Sequence, residues 1–119
     1  MSIHQNITCT QKNTLQSIFL NRKVITGNYA VSDGFSDHAG PYAFIACQHA
    51  APIAITLPNA ATWPGQKFTI VDESGTAATN IITVTAELSQ TINSQSSFVI
   101  DSAYDSVSFY SNGAAWHIG

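Results

Sequence analysis

The sequence predicts an all-β fold: an antiparallel β-sandwich or jelly-roll-like domain behind an extended N-terminal arm. Three observations predict it. Short apolar bursts alternating with polar residues recur from about residue 28 to the last residues. Pro, Gly and Asn clusters separate them, as in Trp63-Pro64-Gly65 and Ser111-Asn112-Gly113. No stretch sustains an amphipathic helical pattern of about ten residues or more. Composition agrees. Only 9% of residues are charged, so polarity comes from Ser, Thr, Asn and Gln, which suit the open face of a sheet. A chain of 119 residues with 45% apolar content is one domain with a real core and is not compositionally disordered.

Residues 1–27 read as a docking arm and residues 28–119 as the β domain. The arm carries Leu15, Ile18 and Phe19 at the spacing of one helical turn, but nothing extends that pattern. Its large apolar residues are well separated, which suits an extended segment whose side chains enter pockets on a partner. Packing on its own domain, as an edge strand or short helix, is the competing expectation. Lys12, Arg22 and Lys23 all fall in the first 23 residues, which hold no Asp or Glu, whereas Lys67 is the only later cation. Lys12, Leu15, Ile18, Phe19, Leu20, Arg22 and Lys23 are therefore the expected contacts with an acidic partner surface.

In the body, strands are expected at 28–32, 42–47, 53–57, 67–72, 80–86, 96–101, 105–111 and 114–118. Alternation puts Phe68 with Ile70, Ile82 with Val84, Phe98 with Ile100, Val107 with Phe109, and Trp116 with Ile118 on common faces. Glu73-Ser74-Gly75 and Ser111-Asn112-Gly113 read as tight turns, the second as a hairpin. No internal repeat is visible. The chain ends one residue past the last expected strand.

Leu57-Pro58-Asn59-Ala60, the run from Gly65 to Ala77 (GQKFTIVDESGTA), Asn80-Ile81-Ile82-Thr83-Val84, Thr91-Ile92-Asn93 and the run from Ser108 to Trp116 (SFYSNGAAW) occur in that order. Together they resemble the β-structured modules of bacteriophage virion proteins. Such modules occur at the ends of tail fibres and spikes and in small capsid decoration proteins. The resemblance spans roughly residues 28–119. It implies a virion protein, assembled in the host bacterial cytoplasm, and a homotrimer. It carries no binding site over to this chain. Gly75 is expected to supply a positive φ, Asp72 or Ser74 to bond nearby amides, and Trp116 to lie in the core or a subunit interface.

Residues suited to catalysis or metal binding are sparse. Asp72 and Glu73 are adjacent, so on a strand they point to opposite faces and do not converge on one bond. Asp33, Asp37 and His38 form a loose loop cluster that His49 could approach, too few convergent ligands for a metal. His4, His38, His49 and His117 lack zinc-site spacing. Cys47 and His49 would share a strand face, without a third orienting group. Cys9 and Cys47 are expected as free thiols, and no secretory leader precedes them. No span approaches the roughly 18 apolar residues that cross a bilayer. Three scattered cations in front of an acidic body do not suit nucleic acid. Trp63, in a Pro-Gly loop, is a possible surface contact.

The expectation is a structural, non-enzymatic virion protein without cofactor or metal. Its first form is a capsid decoration (cement) protein that binds the outside of the major capsid protein lattice and stabilises the shell. Its alternative is a tail-fibre or tail-spike tip that binds a host surface receptor or glycan. Expected partners are copies of itself and the major capsid protein or another virion protein, with neither nucleic acid nor membrane.

Overall fold

The computed structural model describes residues 22–31, 44–62 and 64–119. Nine strands form among them, with no α-helix: β1 (Arg22–Ile25), β2 (Tyr29–Ala30), β3 (Phe44–Cys47), β4 (Ile53–Leu57), β5 (Lys67–Asp72), β6 (Ile82–Ala86), β7 (Phe98–Ile100), β8 (Ser106–Ser111) and β9 (Trp116–Ile118). The period of two decides the faces. In β4, Ile53, Ile55 and Leu57 are buried and Ala54 is exposed; in β5, Phe68, Ile70 and Asp72 are buried and Lys67 is exposed. The expected strands at 53–57 and 67–72 match in full, that at 42–47 matches over its described residues 44–47, and the other five are shorter than expected. Asn28 shows why one shrinks: its Oδ1 accepts the Ala54 amide at 2.9 Å, so it works as a corner residue.

Two sheets result, one ordered β1-β3-β5-β8-β9 and the other β2-β4-β6-β7. Up to β6, odd and even strands alternate between the sheets, and each sheet grows by parallel pairing. The chain therefore coils, each turn laying one strand on each sheet. A parallel pair needs a crossover, and here every crossover includes a strand of the opposite sheet. The coil then closes with antiparallel strands: β7 on β6, β8 on β5 and β9 on β8.

The expected antiparallel arrangement thus holds for these three pairs and fails for the other four, which excludes a jelly roll. Alternation tells which face of a strand is buried and is silent on the direction of its neighbour. The turn after Asp72, expected to be tight, is a corner that carries the chain from β5 to the other sheet. The hairpin at Ser111-Asn112-Gly113 is present, with Ser111 opposite Trp116. The turns of the coil differ in length: Arg22 pairs with Phe44 and Phe44 with Thr69, offsets of 22 and 25 residues, whereas Tyr29 pairs with Ile55 and Ile53 with Ile82, offsets of 26 and 29. Unequal turns leave no fixed period for a sequence comparison to find.

One core fills the space between the sheets, drawing Ile45, Phe68, Ile70, Phe109 and Trp116 from one and Ile53, Ile55, Leu57, Ile82, Val84 and Ile100 from the other. Phe98 and Phe109 meet across it edge to face, 5.7 Å between centroids. Residues 22–25, read as part of the arm, are an edge strand of the five-stranded sheet. Residues 1–21 lie outside the described residues.

Trp116 fastens the closing strands to the coil. It is fully buried, its ring lies 5.5 Å from that of Phe68, and its Nε1–H donates to the Pro58 carbonyl at 2.9 Å. Pro58 follows β4 of the other sheet, so this single bond spans the core. Trp116→Phe keeps an aromatic ring but strands a buried carbonyl and leaves a gap. Stability should fall by about 1–3 kcal/mol, read from the urea midpoint at unchanged slope.

Candidate functional site

The densest polar constellation sits at the corner after β5. Asp72 is fully buried, and its two oxygens accept four donors. Oδ1 takes the Ser74 hydroxyl at 2.6 Å and the Gly75 amide at 3.1 Å; Oδ2 takes the Ala77 amide at 2.9 Å and the Tyr104 amide at 3.1 Å. Burial pushes the carboxyl pKa up, but the bonds from Ser74, Ala77, Tyr104 and Gly75 outweigh it and hold the group at about 2. The expectation that Asp72 or Ser74 bonds nearby amides holds. The partner from residue 104 was invisible in the sequence, because it arrives from the loop between β7 and β8.

His49 joins this corner. It is buried, its Nε2 lies 2.7 Å from the Asn80 carbonyl, and its Nδ1 lies 3.3 Å from Ser74 Oγ and 3.9 Å from Asp72 Oδ1. A carbonyl only accepts, so Nε2 carries a proton. Serine, histidine and aspartate are close, but in the wrong order for nucleophilic chemistry. The Ser74 hydroxyl gives its proton to Asp72 at the shortest of its contacts, whereas an activated serine gives it to histidine. Cys47, the other candidate, is fully buried. Burial first, then the charges of Asp72 and Glu73, push its thiol up to about 12, which disfavours the nucleophilic thiolate. What this corner does chemically is hold backbone.

The arm residues divide. Lys12, Leu15, Ile18, Phe19 and Leu20 lie outside the described residues, as do Trp63, Asp33, Asp37, His38, His4 and Cys9. Arg22 reaches Glu73 within its own chain, Nη2 to Oε1 at 2.6 Å, and Gln48 donates to the same oxygen at 3.0 Å. Arg22 and then Gln48 hold the Glu73 carboxyl below its usual range. Lys23 places its ammonium 5.8 Å from the centre of the Tyr29 ring. Both cations therefore have partners on the domain itself. Among the described residues no three His, Cys, Asp or Glu side chains gather as a metal site would require, and no helix is long and apolar enough to cross a membrane.

The outer faces differ from one another. On the four-stranded sheet, pairing lines up Ala30, Thr56 and Thr85 in one row and Ala54, Thr83 and Val99 in the next. Neither row has a charge. On the five-stranded sheet Lys67, Tyr110 and His117 form a row, followed by Thr69 and Ser108, whose hydroxyls are 2.9 Å apart. Each of these residues is ordinary alone, and the sequence does not group them. Their juxtaposition depends on strand register.

Two predictions follow from the corner. Asp72→Asn turns one acceptor into a donor facing amides, and should cost about 2–4 kcal/mol in chemical denaturation. Because the folded carboxyl sits near 2, below its ordinary 3.8, its contribution is complete above about pH 4 and is lost as pH falls toward 2. The variant's stability should therefore depend less on pH across that window than the parent's. Gly75 has φ +74, and a Cβ there would run into the Tyr104 ring. Gly75→Ala should cost well over the roughly 1–2 kcal/mol of the backbone strain alone, and only about that strain in a Tyr104→Ala background. A double-mutant cycle measures the difference.

Compared with known proteins, no family model matches this chain, and no curated protein sequence matches it.

Proposed function

We propose that this chain is a bacteriophage virion structural protein that works by binding, as a terminal module of a tail fibre or spike that meets a host surface receptor or glycan. The observation that carries this reading is the asymmetry of the five-stranded sheet. At the β9 side the five-stranded sheet is closed. Ile92 bridges Trp116, the Asn93 amide donates to the Trp116 carbonyl, and Asn93 Oδ1 accepts the Ile118 amide. At the other side β1 and β2 are the edge strands, and among the described residues nothing pairs with their outer edges. The four-stranded sheet has unpaired outer edges at both β2 and β7 among the described residues, so the asymmetry is that of the five-stranded sheet, covered at β9 and open at β1 where the chain enters. An open entry edge suits a module that attaches N-terminally and presents its far end. The resemblance of the Gly65–Ala77 and Ser108–Trp116 runs to virion modules supports the same class.

Capsid decoration is the second reading, favoured by the acid-free segment with Lys12, Leu15, Ile18, Phe19 and Leu20 as anchors on a capsid lattice. The internal pairing of Arg22 weakens it. Under either reading the protein is a homotrimer, for which the uncharged Ala/Thr/Val face of the four-stranded sheet is the natural self-association surface.

Quantitative mass spectrometry of purified particles separates the readings: a handful of copies per virion for the tail tip, hundreds for decoration. Deleting residues 2–21 leaves all nine strands, so the protein should fold but no longer join particles. Undiminished incorporation would refute N-terminal attachment. Thr83→Arg should convert trimers to monomers in light scattering at unchanged far-UV circular dichroism, and a persistent trimer would move the interface elsewhere.

A further inference from the structure

The row Lys67–Tyr110–His117 combines features that no packing requirement explains. The three residues are direct partners across β5, β8 and β9, so their side chains share the outer face. Tyr110 is 39% exposed, and Lys67 is exposed. Among the described residues no carboxylate pairs with Lys67, and the paired positions of this face contain no Asp or Glu. The Tyr110 and His117 rings stack at 5.6 Å with 29° between planes.

The histidine is oriented. Asn112 Oδ1 already accepts the amides of Ala114 and Ala115, both at 2.9 Å, so its amide nitrogen is the donor in the 3.0 Å contact with His117 Nε2. Nε2 is then the acceptor, and the ring proton sits on Nδ1 as a donor for an incoming group. Beside the row lie the hydroxyls of Thr69 and Ser108.

We propose that this row is a subsite for an anionic saccharide, a sugar bearing a carboxylate. The ring's C–H face lies on Tyr110, the carboxylate meets the Lys67 ammonium, and hydroxyls meet His117 Nδ1–H and the Thr69–Ser108 pair. An aromatic face suits the apolar side of a sugar ring, and a charge-assisted bond to carboxylate is stronger than one to hydroxyl. Adjacent strands lie about 4.8 Å apart, which puts Lys67 and His117 on either side of Tyr110, about 10 Å from one another at the backbone. That span suits one sugar residue held between two inward-leaning side chains.

The inference rests on the tail-tip reading and is tested apart from it. Calorimetric titration of the full chain with trigalacturonate and with its neutral counterpart, galactotriose, should show the acidic sugar binding about tenfold more tightly or better. Lys67→Gln should reduce the acidic sugar to the neutral level, and Tyr110→Ser should remove both. Circular dichroism shows whether each variant remains folded, and Lys67→Gln alters only an exposed side chain, so it decides even if Tyr110→Ser unfolds. Absence of binding, or equal binding of the two sugars or by Lys67→Gln, overturns the subsite. A protein found in few copies at the tail without sugar binding leaves the location standing, whereas hundreds of copies on the capsid overturn the location whatever the titration shows.

Discussion

The buried carboxylate of Asp72 is the constraint on which the rest of the corner depends. A carboxylate removed from water is costly unless its lone pairs are matched, and here all four acceptor positions are filled. Three of the donors come from the turn that follows β5, and the fourth comes from the loop between β7 and β8. The same turn is tied backward, because the amides of Glu73 and Ser74 both donate to the Cys47 carbonyl, at 3.0 and 3.1 Å. The Asp72 side chain thus joins the turn after β5 to the loop before β8, and the amides of that turn join it to the end of β3. His49, Thr76 and Gly75 read as supports for that arrangement. Thr76 Oγ1 reaches the His49 carbonyl, and Gly75 leaves room for the Tyr104 ring.

The opposite corner is held by different chemistry to the same end. Trp116 donates across the core to Pro58, and Ser111 Oγ donates to the Ala60 carbonyl at 2.6 Å. Gln90 bridges Asn59 and Ala60, its amide nitrogen on Asn59 Oδ1 and its oxygen on the Ala60 amide. Parallel pairing alone would leave β5 and β6 as open edges under a filled core. Reversing direction covers them: the loop over residues 87–97 after β6 returns the chain as β7, and the Ser102–Asp105 turn returns it as β8. The antiparallel strands are therefore the means of ending the coil, and the corner bonds fix where it ends.

Much of this was legible in single residues. Inward sets such as Phe68 with Ile70 and Ile82 with Val84 follow from alternation. The positive φ of Gly75 and Gly113 follows from their turns. What the sequence does not carry is partner identity. Whether β5 lies beside β6 or beside β3 depends on the route of the intervening corner, and local pattern is the same in both cases. The contact of Tyr104 with Asp72 spans 32 residues and uses a backbone amide, which no side-chain signature marks. Arg22 reads as a free basic residue until the fold brings Glu73, 51 positions away, within reach. Leu88, Ser89, Asn93, Ser94 and Tyr104 take positive φ without being glycine, and Leu88 and Ser89 in particular give no compositional warning.

The division between inner and outer residues also bears on how such a domain acquires function. With period two, each strand commits about half its residues to the core and leaves the rest to solvent, so two outer faces vary independently of one interior. Here they have diverged. Small uncharged residues give one face flatness, which favours contact with another flat surface. The other concentrates a lysine with no carboxylate partner among the described residues, a half-exposed tyrosine and an oriented histidine on its three consecutive strands farthest from β1. Those strands include the antiparallel pair that ends the coil, so the row stands at the end farthest from the edge where the chain enters. Under the tail-tip role proposed above, a residue there would face the host surface, and β1 and β2 would face the carrier.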